Sequence, residues 1–458
     1  MKLEAREKNI IFFDVMLLCA LLFIGMSVSY VKVLVSVVLG WSYQYRKKAE
    51  IVYSLLFFYS FYCIFKITPS GTSLFNVVIA FAVVGLFVQR KRKSWVVSFT
   101  KKGVHSIVFL AVFCFYLFLT SIIRGRNDIL TIFLDLFVPM LLVVGVSINK
   151  EDIEVDKLVY AYAAGIILSQ AVGVGLIPIR HLNEFVSVVH YKAAGIRLTR
   201  FQGLTVNPNY FSLDVNLALA GLLVLPAKRK ERKRPVAEIL LLALLSATGI
   251  LTLSKSFAVC FAATIFLYIL IGAEKNKIGK VTAFTVFLLV TLFFYRMYSG
   301  SSYIMAIIDR TNRVSSLKEF TSDRTVVWMN YLKYILRTPD LLILGGGAGA
   351  GRLFDYGASH SFYIECLYYF GIVGIVLFLV FQYSILEPNH TKAVFLLPAI
   401  AFMIRGVAIN IVLREAFATD LIFILVFLSN SSVSANGIHL APPESTKKWE
   451  NTKSLTQT

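Results

Sequence analysis

VHSIVFLAVFCFYLFLTSII, residues 104–123, is a run of 20 residues without a single Lys, Arg, Asp or Glu. At ~1.5 Å per residue a helix of this length measures ~30 Å, the thickness of a bilayer's hydrocarbon core. Only a helix satisfies its own backbone polar groups well enough to cross that core repeatedly. Just upstream, QRKRKSWVVSFTKK (89–102) carries six Lys or Arg. Apolar runs of similar kind recur near 10–28, 31–44, 51–67, 73–89, 129–148, 157–178, 208–226, 236–253, 256–272, 281–297, 361–381, 392–410 and 416–429. With 57% hydrophobic residues, 14% aromatics and a mean hydropathy of +0.73, 458 residues cannot form one soluble core.

The expected fold class is therefore all-α: a polytopic integral membrane protein of about 12–14 transmembrane helices with two long extracytoplasmic loops. The divisions that follow are transmembrane helices over 1–178, a first outer loop over 179–207, helices over 208–297 and a large outer loop with an interfacial helix over 298–360. Further helices over 361–429 and a polar, disordered cytoplasmic tail over 430–458 complete the chain. The start MKLEAREKN is basic, but the apolar run behind it contains Asp14 and has no small-residue cleavage site, which predicts an uncleaved first helix. Cys19, Cys63, Cys114, Cys260 and Cys366 all fall in apolar spans, with neither disulfide nor metal-ligand spacing.

The basic segments 89–102 and AKRKERKR (227–234) have six Lys or Arg each, and QYRKKAE (44–50) has three. All lie on one side if both termini are cytoplasmic, as the positive-inside rule requires. They account for much of the net charge of +20 as topology determinants, and without interleaved aromatics in a folded domain they do not point to nucleic acid. The two opposite loops are long, and long loops in a compact fold are usually functional or disordered. RTVVWMNYLKYILR (324–337) spaces Val327, Trp328, Tyr331, Leu332, Ile335 and Leu336 helically, as in a helix lying in the membrane interface. Asp14, Asp135 and Asp214 are scattered over three spans, without the repeated pattern of an ion-coupled transporter.

Five motifs then occur in order over about residues 195 to 380. They are Arg200-Phe-Gln-Gly203 with Asn207-Pro208-Asn209; LTLSKSF (251–257); Arg324 and Trp328 in an Arg-x-x-x-Trp pattern followed by Pro339; GGGAGAG (345–351); and His360-Ser361 with Gly371 and Gly374. The set resembles bacterial O-antigen polymerases and O-antigen ligases, with Lys255 where that family usually has arginine in its Ser-x-Ser-Arg turn. The resemblance implies a metal-independent, cofactor-free glycosyltransferase of the bacterial cytoplasmic (inner) membrane. Its donor would be an undecaprenyl-diphosphate-linked oligosaccharide, its site on the extracytoplasmic face, and its surroundings membrane lipids. A polysaccharide flippase and a chain-length regulator are the partners the pathway implies.

The residues can be read against that chemistry. A lipid diphosphate presents several negative charges at headgroup level, so Arg197, Arg200, Lys255 and Arg324 are the candidate donor-binding cations, arginine matching phosphate bidentately. Asn207 and Asn209, flanking Pro208, are read as a rigid turn offering amides to sugar or phosphate, and Trp328 as a positioning residue. The glycine run could let backbone approach a polar ligand, but no Lys-Ser or Lys-Thr follows to make a nucleotide P-loop. The acceptor hydroxyl needs a base, and an imidazole suits proton transfer at neutral pH, so His360 is the candidate catalytic residue; the plainer reading is a helix cap. His181 and His190 are read as loop or glycan contacts. Arg405 and Glu365, costly inside a span, are expected to pair and hold the helices, the alternative being that Arg405 touches the donor. Three functions stay open. A polymerase of O-antigen, capsular or exopolysaccharide repeat units leads, on span count and the replaced arginine. A ligase to a lipopolysaccharide core follows, and a flippase or solute transporter is the reading of another class.

Overall fold

A computed structural model describes residues 2–68, 73–91, 94–97, 100–126, 130, 132–186, 189–193, 196–228, 235–271, 321, 323–348, 358–386, 393–409 and 415–429. The expected span 281–297, residues 298–320 of the large loop 298–360, residues 229–234 of the basic run and the tail 430–458 lie outside the described residues. Sixteen helices are used below. They are α1 (Lys2–Cys19, prolonged by a π turn Ala20–Gly25), α2 (Ser29–Ser42), α3 (Lys48–Tyr59), α4 (Phe75–Phe87), α5 (Lys101–Ile123), α6 (Val138–Ile148), α7 (Val155–Gly173) and α8 (Leu182–Phe185). They continue as α9 (Pro208–Lys228), α10 (Val236–Leu251), α11 (Lys255–Ile271), α12 (Arg324–Arg337), α13 (Pro339–Leu344), α14 (Phe362–Ile385), α15 (Leu397–Gly406) and α16 (Glu415–Ser429). Two antiparallel hairpins interrupt the helical pattern: β1 (Val88–Lys91) with β2 (Ser94–Val97), and β3 (Val189–Ala193) with β4 (Ile196–Arg200). The second of these gives the first long loop a regular structure that an all-helical reading does not contain.

Among the described residues five helices are long and apolar enough to cross a membrane: Ala5–Gly25, Lys101–Ile123, Val155–Gly173, Pro208–Ala227 and Phe362–Ile385. Six shorter apolar helices accompany them. The expected spans 31–44, 51–67 and 73–89 correspond to α2, α3 and α4, of 14, 12 and 13 residues. At ~1.5 Å per residue these are about 18–21 Å long, less than the hydrocarbon thickness. Large apolar side chains point outward along the long helices, including Phe12, Phe23, Phe115, Ile123 and Leu379, as for a protein whose outer solvent is lipid.

Local chemistry explains how polar groups are carried into this bundle. The Thr100 hydroxyl accepts the Gly103 N–H at 3.0 Å and caps α5. Asp14, in the first apolar run, is met by Arg46 in a buried bidentate pair at 2.6 and 2.8 Å, the geometry that offsets a carboxylate's desolvation best. Lys32 is fully buried; its Nζ donates to Lys66 O at 2.8 Å and lies 3.3 Å from the Phe185 ring centroid, pinning α8 against α2. The most enclosed long helix is α9, which packs against α7, α10, α11, α15 and α16.

α14 is broken at Gly371 (φ 61°, ψ −175°), a conformation open in practice to glycine alone. The break frees carbonyls that the glycine run takes up: Gly346 N–H donates to Tyr368 O at 2.8 Å and Gly347 N–H to Tyr369 O at 3.0 Å. Gly345 (φ 76°, ψ −178°) lies so close that an added Cβ would strike the Tyr369 carbonyl oxygen and the Gly371 nitrogen. Tyr116 of α5 seals the joint, its hydroxyl donating to Leu344 O at 2.7 Å and Phe370 O at 3.1 Å. The described start of GGGAGAG is thus a packing device against a helix break. Gly345→Ala or Gly371→Ala is expected to lower stability by at least about 1–3 kcal/mol from backbone strain alone, seen as a lowered unfolding temperature in detergent.

Candidate functional site

Arg200, Asn209, Ser254 and Arg324 are brought together where the start of α9, the α10–α11 turn, the start of α12 and the end of α15 meet. β4 hands the chain to a tight segment in which Phe201 N–H donates to Leu251 O at 3.1 Å, Gly203 N–H to Gln170 Oε1 at 2.9 Å and Leu204 N–H to Ser169 Oγ at 2.7 Å. Arg200 is held beside the α10–α11 turn: its Nε donates to Thr252 O at 3.0 Å and its Nη2 to Asn209 Oδ1 at 3.1 Å. Ser254 donates to the same Asn209 oxygen at 3.2 Å and lies 3.0 Å from the Ser256 hydroxyl. Lys255 lies between these serines in the chain as the first residue of α11 and has an interaction of its own.

The Asn-Pro-Asn turn serves the fold more than was expected from sequence. Asn207 Oδ1 accepts Asn209 N–H at 2.8 Å, so the first asparagine closes a turn onto the second. Asn209 Oδ1 is occupied by Arg200 and Ser254. The two amide oxygens therefore order the turn and hold Arg200. Arg197 lies on β4 opposite Lys192, and its side chain lies outside the described residues.

Arg405 does not pair with Glu365, correcting that expectation. Its Nη2 donates to Asn209 O and Ser212 Oγ, each at 2.6 Å, while Nε and Nη1 are buried without a hydrogen-bond partner among the described residues. The reason is geometric: α15 packs along α9, so the guanidinium meets the first turn of α9. Glu365 is buried in the first turn of α14 with contacts of its own. Arg324 arrives from α12 and donates Nη1 to Ala408 O at 2.6 Å, one turn beyond Arg405. Burial pulls the Arg324 guanidinium below its ordinary pKa, with Tyr210 acting in the opposite sense. Arg324 and Arg405 are within electrostatic reach of each other. Arg200, Arg324 and Arg405 thus gather around the N-terminal turn of α9, where the helix dipole adds further positive potential.

His360 stands at the edge of this group. Trp328, one turn after Arg324, donates Nε1 to Ser359 O at 2.9 Å and so fixes the approach to α14. Ser361 is the N-cap residue, with His360 one position before it and exposed. Two residues on, Phe362 packs on Phe402, with ring centroids 5.6 Å apart, and touches Gly406, bringing the α14 mouth to the Arg405 end of α15. Four non-glycine residues among those described have positive φ: His181, Leu253, Asp323 and His360. Three of them adjoin the cluster, at the α10–α11 turn, before Arg324 and before the N-cap of α14, and a backbone of this kind persists where the surrounding structure holds it. His181 sits apart, its Nδ1 2.8 Å from Glu184 Oε1, and His190 is 3.3 Å from the Thr199 hydroxyl in the hairpin.

α12 also differs from expectation in what its apolar stripe faces. Tyr331 and Ile335 are buried with Ile364 and Tyr368 of α14 and Leu341 of α13, and Val327 and Trp328 join them. That face is used within the protein, and Val326, Met329, Tyr334 and Leu336 are the apolar residues left outward. Ser254, quoted only as part of a motif, and Tyr210 had no role assigned from sequence, and Arg405 was offered only as the alternative donor contact. A cation inside an apolar run was the available signal for Arg405. Compared with protein-family models, curated proteins and solved structures, the chain matches none.

Proposed function

We propose that this chain is a membrane glycosyltransferase that joins polyprenyl-diphosphate-linked oligosaccharide units, with its site at the outer face. The observation that carries this reading is the cluster of Arg200, Arg324 and Arg405 at the start of α9 beside the His360 end of α14. The guanidiniums suit the diphosphate of a lipid-linked donor. A hydroxyl of the acceptor glycan attacks the anomeric carbon, the bond from that carbon to the diphosphate oxygen breaks, and the hydroxyl proton passes to His360. The leaving diphosphate keeps its electron pair and is stabilised by the three cations. In this reading both termini and segments 89–102 and 227–234 are cytoplasmic, and loops 179–207 and 298–360 face outward.

Deleting the gene and sizing the surface glycan tests the reaction. Single repeat units on the lipid anchor or core identify a polymerase. Full-length chains stranded on undecaprenyl diphosphate identify a ligase, and an unaltered glycan removes both. Topology has its own check: a cysteine introduced at position 230 is expected to resist an impermeant reagent added outside, and labelling there would sink the outward site. For the donor contacts, Arg200→Lys and Arg324→Lys keep the charge but lose the planar fork. Each is expected to weaken donor use by about 1.5–3 kcal/mol, the scale of one charge-assisted hydrogen bond, read as kcat/KM at normal protein level. Full activity in Arg200→Ala would remove that residue from the site.

A further inference from the structure

α1, α3 and α7 enclose a cavity of about 420 Å³ toward the end of the bundle where α3 and α7 begin. It lies far from the cation cluster. Lys157 lines it in the first turn of α7, whereas Gly173, at the other end of that helix, packs against Gly203 beside Arg200. Lys157 and Gly173 are 16 residues apart, about 24 Å along the helix axis. Ile11, Val15, Phe57, Ala161 and Ala164 make the cavity wall apolar, and Ile11 and Val15 are themselves exposed, so the cavity opens sideways onto the surface that faces lipid.

Its rim carries charge of both signs. Lys157 Nζ lies 3.0 Å from Glu7 Oε1 and 3.1 Å from Glu154 Oε1, which engages two of the three N–H donors of an ammonium group. Asp14 is already held by Arg46. Glu50 is satisfied on one side only: its Oε2 accepts the Lys47 N–H at 2.7 Å and Arg6 Nη2 at 3.3 Å, while its Oε1 is buried with no hydrogen-bond partner. In these ion pairs the four carboxylates of Glu7, Asp14, Glu50 and Glu154 meet the three cations Arg6, Arg46 and Lys157. A carboxylate oxygen shielded from water calls for an N–H donor, best a charged one. An apolar wall below a rim with one carboxylate oxygen to fill and one ammonium N–H to spare fits a zwitterion on a hydrocarbon chain.

We propose that this cavity holds a phospholipid of the surrounding bilayer with an ethanolamine headgroup. Its primary ammonium donates to Glu50 Oε1, its phosphate accepts from Lys157, and one acyl chain lies along Ile11, Val15, Ala161 and Ala164. The chemistry discriminates among headgroups: a choline ammonium has no N–H to give Glu50, and a glycerol headgroup brings no cation to offset the surplus carboxylate. The test titrates the full chain, delipidated in detergent, with dioleoyl phosphatidylethanolamine, phosphatidylcholine or phosphatidylglycerol. Bound lipid is counted by native mass spectrometry, and the unfolding temperature is followed in parallel. The ethanolamine lipid is expected to bind one site roughly tenfold or more tighter than either of the others, the scale of one charge-assisted hydrogen bond, and to raise the unfolding temperature at lower concentration. Glu50→Gln keeps an oxygen for the Lys47 N–H but loses the charge, so its affinity for the ethanolamine lipid is expected to fall to that for the choline lipid. Where Glu50→Gln does not accumulate, Ala164→Phe, at an exposed position of the apolar wall, fills the chain's place and is expected to remove the tight site. Equal affinity of wild type for the three lipids, tighter binding of the glycerol lipid, or a preference that survives the variants overturns the assignment.

Discussion

His360→Ala is expected to reduce glycan product by ~10²–10⁴-fold, the usual contribution of a general base and about 3–5 kcal/mol of barrier. Protein level and donor binding should be unchanged, because His360 is exposed and precedes the N-cap residue of α14. A neutral imidazole is the form that accepts a proton. With donor saturating, the wild-type rate therefore rises with pH through the imidazole's titration and levels off above it. His360→Gln retains hydrogen-bonding shape without basicity and separates the two roles. If that variant is active and insensitive to pH, His360 only orients the acceptor and the leaving diphosphate takes the proton. Trp328→Phe should act more gently, by about 0.5–1.5 kcal/mol, since it removes one hydrogen bond that fixes the preceding Ser359.

Arg405→Met should cost stability as well as activity, unlike His360→Ala. The guanidinium is 1% exposed, ties Asn209 O to Ser212 Oγ, and is the cation within electrostatic reach of Asp214. Losing two hydrogen bonds from a buried charged group, at about 1.5–3 kcal/mol each, should appear as a lower unfolding temperature and poor accumulation. If the variant is as stable as wild type, Arg405 does not hold this junction together.

Much of the fold was legible because helix formation in lipid depends on local properties. A run such as 104–123 has the length and the apolar side chains to fix its own state, and the structure places α5 over Lys101–Ile123. Where a run is short, hydropathy leaves the helix ends to the packing around it. Segments 31–44 and 73–89 read as spans by hydropathy, yet their helices stop at 14 and 13 residues. The glycine run was legible as backbone needing freedom, but not as the partner of a helix break 26 positions later at Gly371. Likewise the stripe of α12 could be recognised as apolar, while its burial against Tyr368 and Ile364 depends on a helix outside the segment.

The candidate site divides along the same line. Arg200, Asn209, Arg324, Trp328 and His360 could be picked out by residue type and motif order, since guanidinium and imidazole chemistry belongs to the side chain itself. Which guanidinium lies innermost was decided by packing. α15 runs along α9, so Arg405 reaches Asn209 and Ser212, and the pairing with Glu365 expected from sequence does not form. A sequence carries the charge and hydropathy of each segment, whereas the contacts that link residues 200, 209, 254, 324 and 405 exist only once several helix ends share one place. The sequence by itself therefore determined that the chain is helical, apolar and provided with cations. Only the tertiary structure decided which of those cations gather around the first turn of α9, because electrostatic partnership depends on distance in space and not on distance along the chain.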